Sequence, residues 1–123
     1  MQLLKIRIGN KIIRVKDCKG LASLRGLMFD SMKGYDGALI YANSIWMPFV
    51  KYELDLIFLD KDFRIIGIRN AVPLTFNPDT WRIYKNEKAR YCLEIKAGIA
   101  RNLKALIGKK IKRVRSLVAM TSP

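Results

Sequence analysis

Apolar and polar residues alternate from the start of the chain. Leu4, Ile6 and Ile8 are interleaved with Lys5 and Arg7, the two-residue period of a half-buried strand. Gly9-Asn10 offers a two-residue hairpin turn, after which Ile13 and Val15 continue against Arg14 and Lys16. A hairpin with a basic outer face is therefore expected. Leu21, Leu24, Leu27 and Met28 fall instead on one face of a short helix, weakened by Gly26. Gly34 and Gly37 mark a loop, and residues 38–41 a short strand. Pro48 has no N–H, so Trp46-Met47 suits a sheet edge, bulge or bend better than a central strand.

Residues 54–59 are apolar at nearly every position, the pattern of a strand covered on both faces. Asp60-Lys61-Asp62 forms a turn, and residues 63–68 return as the partner strand. Pro73 and Asn77-Pro78-Asp79 predict a long irregular loop from Val72 to Asn86, of a length often tied to function. A strand follows over 90–95. Ala100, Leu103 and Ile107 repeat at helical spacing between Gly98 and Gly108. The tail is open to two readings: Ile107, Ile111, Val114 and Val118 keep a helical period, whereas a strand over 110–115 needs a bulge.

Length and composition add that the 123 residues, half of them apolar, form one domain with a real core, with residues 116–123 as a loosely ordered tail. The net charge of +14 is unevenly spread. Residues 1–29 hold seven basic and one acidic residue, residues 30–80 five and seven, and residues 81–123 twelve and two. That asymmetry points to an acidic partner, set against the alternative of a well-solvated charged surface. A basic start followed by an apolar leader is not visible, and the uncharged stretch from Gly37 to Val50 is too short to span a bilayer, so a cytoplasmic protein is expected. Cys18 and Cys92 are expected to be two reduced thiols rather than a bridge, and no metal-ligand spacing occurs. Lys16 and Lys19 flank Cys18, which would lower its pKa slightly.

Three blocks carry a family resemblance. Leu24-Arg25-Gly26-Leu27-Met28-Phe29, then Trp46-Met47 with Leu54 to Asp60, then Ala89 to Ile95 with Ala97-Gly98 and Gly108-Lys109-Lys110-Ile111, resemble in order and spacing the uncharacterised family called domain of unknown function 192. The resemblance implies a mainly β domain, a compact antiparallel sandwich or barrel with two short helices, and a last strand ending near Val114. Its usual Lys-Asn-Thr spacer after Trp-Met is here Pro48-Phe49-Val50, and the proline before Leu-Asp is here Glu53. The family brings no catalytic residues.

Strand alternation puts Asp55 on a face with Ile57 and Leu59, where a carboxylate needs a donor. Arg25, Arg90 and the Trp46 indole are candidate partners. The alternatives are a structural ion pair or capped turn, or a polar anchor in a small-molecule or carbohydrate pocket with Trp46 and Met47. Trp46 and Met47 are themselves either core or a stacking rim, to which Trp81, Tyr84 and Tyr91 would add. A polyanion surface is drawn by two basic runs: Lys109, Lys110, Lys112, Arg113 and Arg115, and Arg82, Lys85, Lys88 and Arg90. Histidine is absent and no phosphate-cradling glycine loop occurs, so no catalytic constellation and no cofactor are expected. The reading is a small binding domain for nucleic acid or another polyanion, with the Trp46, Met47 and Asp55 pocket as the alternative.

Overall fold

The computed structural model describes residues 2–19, 27 and 30–114. Nine strands follow one another: β1 (Leu3–Ile8), β2 (Lys11–Cys18), β3 (Gly37–Ile40), β4 (Ser44–Trp46), β5 (Leu54–Leu59), β6 (Ile65–Ala71), β7 (Ile83–Lys85), β8 (Tyr91–Lys96) and β9 (Lys112–Val114). The first two form the expected hairpin about Gly9-Asn10, with Ile8 opposite Lys11. Seven strands make one sheet in the order β6-β5-β8-β3-β2-β1-β9, while β4 and β7 pair separately as a two-stranded ribbon. The β2–β3 contact is parallel and the other pairs are antiparallel.

The domain is mainly β, but the large sheet is open rather than closed into a barrel. It is strongly curled. Ile6 and Ile13 near one edge share a cluster with Ile57, Leu59 and Ile65 near the other, and Leu93 and Ile95 of β8 lie between them. At one corner the edges approach through an Arg64–Lys110 bridge. The opposite face of the sheet buries Ala38, Ile40, Leu54, Leu56, Phe58 and Cys92 beneath Ile45, Met47 and Tyr84 of the ribbon layer. β5 is thus covered on both faces, as its continuous apolar run predicts.

Among the described residues no helix longer than a single 3-10 turn is formed. The Ala100–Ile107 periodicity yields only a 3-10 turn over Leu103–Leu106. Asn102 at φ 56° and Gly108 at φ 92° bracket it. Too few residues remain between those left-handed positions to repay helix nucleation. The other predicted helix, over Leu21 to Met28, lies outside the described residues apart from Leu27, as do Arg25, Arg115 and the tail at 116–123. The predicted long loop contains a 3-10 turn (Pro78–Thr80) and β7. Of the two readings of the tail, the strand is the one formed, through Val114.

Candidate polyanion-binding surface

The pleat of β1 and β2 sorts their residues without exception. Ile6, Ile8, Ile13 and Val15 point into the curl, so Lys5, Arg7, Ile12 and Arg14 point to the other face. That outer face is covered by the ribbon layer only over β5, β8 and β3. Over β1, β9 and the first half of β2 it carries the exposed Arg7, Ile12, Arg14 and Lys112, whereas the end of β2 is covered, with Lys16 paired to Asp30 and Cys18 buried. Lys5 stands directly opposite Arg14, and Arg7 directly opposite Lys112 of β9. None of these four side chains has an ion pair among the described residues. The backbone N–H of Arg14 donates to the Asp36 carboxylate at 3.1 Å. Lys5, Ile12 and Arg14 also line an open depression of about 520 Å³ with Tyr35 and Lys96.

The other basic residues are dispersed. Arg82 and Lys85 belong to the ribbon, where the Arg82 guanidinium donates to the Asp79 carbonyl at 3.0 Å and the Lys85 ammonium lies 3.7 Å from Glu87. Lys88 is exposed in the next turn, and Arg90 begins the approach to β8. Lys109 and Lys110 lie at the corner beside Arg64, where the Lys109 carbonyl accepts from Ile65 N–H at 2.8 Å. Arg113 is exposed on β9 opposite Ile6. Of the C-terminal run, then, it is Lys112 that joins the hairpin face.

The residues of the alternative pocket are not brought together. Met47 is fully buried in the core, whereas Trp46, its neighbour, is 55% exposed on the outer face of the ribbon. Asp55 faces the opposite side of β5, accepting from the Gly98 N–H at 3.3 Å at the rim of a shallow depression with Asn70 and Asn102. Arg90 lies at the other end of β5, its N–H donating to the Leu59 carbonyl at 2.8 Å. The carboxylate of Asp55 is therefore a turn cap at a strand mouth. Of the aromatics, Trp81 is exposed, Tyr84 is buried with its hydroxyl accepting from Val72 N–H at 3.2 Å, and Tyr91 packs edge-on against Tyr41.

The most perturbed groups were not candidates at all. Glu94 of β8 is 3% exposed, and its Oε1 has no hydrogen-bond partner among the described residues. Burial pushes its carboxyl up to about 8, against the opposing pull of Lys16. Across the sheet, the Lys16 ammonium lies 2.5 Å from Asp30, whose carboxylate also accepts from the Tyr35 hydroxyl and, at 2.8 Å, from Met32 N–H. Burial opposes ionisation of Asp30, but the bonds from Lys16, Tyr35 and Met32 outweigh it and hold its pKa low. Cys18 and Cys92 are both buried thiols that form no disulfide among the described residues. Burial raises Cys18 to about 11, overcoming Lys16, so the expected lowering by nearby lysines does not occur. No group of acidic or thiol side chains among the described residues could hold a metal ion, and no helix there is long and apolar enough to cross a membrane.

Among known proteins, a UPF0127 protein of Pyrococcus horikoshii is 35% identical over 65 residues. That match covers 52% of this chain and spans about half (50%) of the relative's length. A crystal structure of a proposed transcription regulator from Sinorhizobium meliloti 1021 superposes with a TM-score of 0.71 at 22% identity, covering 90% of this chain and 92% of that one. A protein of unknown function from Novosphingobium aromaticivorans does so with a TM-score of 0.66 at 20% identity, covering 89% and 83%. These likenesses show a shared fold. Residues 15–113 match the profile of domain of unknown function 192, described as "Uncharacterized ACR", and the chain belongs to that family.

Proposed function

We propose that this domain binds polyanions, with nucleic acid as the occupant, through the exposed outer face of β1, β9 and the first half of β2. One observation carries the reading: Lys5–Arg14 and Arg7–Lys112 are directly opposed pairs of like charge on one pleat face. Directly opposed like charges destabilise a sheet, so an unrelieved double pair is a cost that a bound anion would offset. Strands lie ~4.8 Å apart and same-face residues ~6.8 Å apart, which makes the four cations a compact grid. Such contacts position a phosphate backbone and carry little sequence information. The structural neighbour described as a proposed transcription regulator shares the fold at 22% identity, which by itself transfers no role.

The reading is tested by fluorescence anisotropy with mixed-sequence DNA and RNA across a salt series. If Lys5, Arg7, Arg14 and Lys112 each neutralise one phosphate, log affinity falls against log salt with a slope of about −3 to −4. Replacing Arg7 and Lys112 by glutamate should flatten that slope by roughly 2 and weaken binding to every sequence alike. Absence of binding at low salt, or an unchanged slope in the double variant, removes the proposal.

A further inference from the structure

The β4–β7 ribbon turns one face into the core and leaves the other bare. Ile45 and Tyr84 are directly opposed and buried. The next opposed pair, Trp46 and Ile83, is 55% and 67% exposed. Trp81, just before β7, is 60% exposed. Its indole N–H donates to the Thr75 carbonyl at 2.7 Å. The loop beneath it is tied down in turn: Thr80 Oγ accepts from Thr75 N–H at 2.9 Å and donates to the Asn77 carbonyl at 2.7 Å, and Asn77 Oδ1 accepts from Asp79 N–H at 3.0 Å. The ring is thus held in place before any ligand arrives, so little ordering entropy remains to be lost on binding. Arg82 immediately precedes β7, Lys85 ends it and Lys88 follows, against Asp79 and Glu87 as the nearby acids in sequence.

We infer that this ribbon face is a base-stacking platform for single-stranded nucleic acid. Trp46 and Trp81 each take the face of an unpaired base, and Arg82, Lys85 and Lys88 hold the adjoining phosphates. The inference rests on the polyanion reading above and narrows it, because a duplex keeps its base faces stacked and offers none to an indole. Every base has a π-face, so recognition here is tolerant of sequence. A single strand supplies both an aromatic surface and a negative backbone, matching the two properties this face combines. A second copy of the chain would set its basic border against itself.

The chain has two tryptophans, both exposed, one in the ribbon and one just before β7, so intrinsic emission reports on this region. A thymidine oligomer, a duplex of equal length and an abasic sugar-phosphate oligomer are titrated into the full chain, reading tryptophan emission with the anisotropy of an end label. The thymidine oligomer should quench emission and bind roughly 5- to 150-fold more tightly than the abasic one for each base stacked. Trp46→Ala should remove about that factor for the thymidine oligomer and leave the duplex unaffected. Trp46→Phe keeps a ring and should recover most of the loss, which separates stacking from damage to the fold. Equal affinity for thymidine and abasic oligomers, or unquenched emission at saturation, overturns the platform and leaves the polyanion reading standing. Failure of all three oligomers to bind at low salt removes both. Self-association that Trp46→Ala abolishes, without quenching by the thymidine oligomer, assigns the face to a second copy and also overturns the platform.

Discussion

Glu94 makes the stability of this protein depend on pH in a way that one substitution should erase. The carboxyl is raised from 4.5 to about 8, first by burial and only partly relieved by Lys16. The folded state therefore holds a proton that the unfolded chain releases near its ordinary value. That contribution is fully present below about pH 4.5 and is lost as pH rises through about 8. At ~1.4 kcal/mol per pH unit the loss approaches about 5 kcal/mol, a large share of the 5–15 kcal/mol that holds a typical domain together. The window is unusually clean, because the chain has no histidine and Cys18 is pushed to about 11. Urea melts at intervals from pH 5 to pH 9, on the protein and on Glu94→Gln, measure it. The two should agree within ~1–2 kcal/mol at pH 5, since both bury an uncharged group with imperfect partners. At pH 9 the Gln variant should be the more stable by several kcal/mol. Equal slopes in the two proteins would refute the reasoning, as they would show that Glu94 is solvated or paired when ionised.

Four further substitutions probe packing and pairing. Gly37→Ala would place its Cβ 1.9 Å from the Glu94 carbonyl oxygen, a backbone atom that cannot turn aside; thermal melting should show a loss of at least ~3 kcal/mol. Met47→Ala, in the core, should cost ~2–5 kcal/mol by chemical denaturation, whereas Trp46→Ala on the exposed face should cost under ~1. Asp30→Ala strands Lys16, whose side chain is 12% exposed, and should cost ~3–5 kcal/mol at pH 7. A loss below ~1 kcal/mol there would show that Lys16 reaches water without its partner.

What the sequence made legible was local. The β1–β2 hairpin combines alternation with a Gly-Asn turn, and both signals lie within a few residues of each other. β5 was readable because an apolar run has no other reason to be so complete. β7 was not readable. It has three residues, and its partner β4 lies some forty positions earlier, so only tertiary pairing makes it a strand. The Ala100–Ile107 spacing is helical in period, but left-handed Asn102 and Gly108 leave room for one tight turn. The order of the family's blocks carried the mainly β fold, although alternation alone says nothing of an open, curled sheet.

The candidate site divided in the same way. The basic outer face of the hairpin was legible from pleat alone, but its closure by Lys112 needed the β1–β9 register. Trp46 and Asp55 are close in sequence, yet one faces solvent from the ribbon and the other faces the far side of β5. Glu94 was missed because a glutamate at alternate spacing reads as a strand's solvent face. The available signal was its company: Cys92, Leu93 and Ile95 surround it with apolar residues, and only Lys96 at the end of β8 shares its face as a polar neighbour. The layer packed over β5, β8 and β3 leaves no solvent face there for Glu94 to occupy.

The opposed cations and the buried carboxyl pull on stability from different directions, and salt separates them. Repulsion between Lys5 and Arg14, and between Arg7 and Lys112, acts through solvent and weakens as the Debye length shrinks from ~10 Å at 0.1 M to ~3 Å at 1 M. Burial of Glu94 is a desolvation cost that added ions cannot reach. Moderate salt should therefore stabilise the free protein while it loosens any complex with nucleic acid, since the same phosphate contacts release counterions. The two effects share one set of residues, so the Arg7→Gln, Lys112→Gln variant, which removes one opposed pair without creating another, should diminish both together. A variant that lost nucleic-acid binding but kept the salt-induced rise in melting temperature would separate the repulsion from the binding surface, and the opposed pairs would no longer be a reason to place a ligand there.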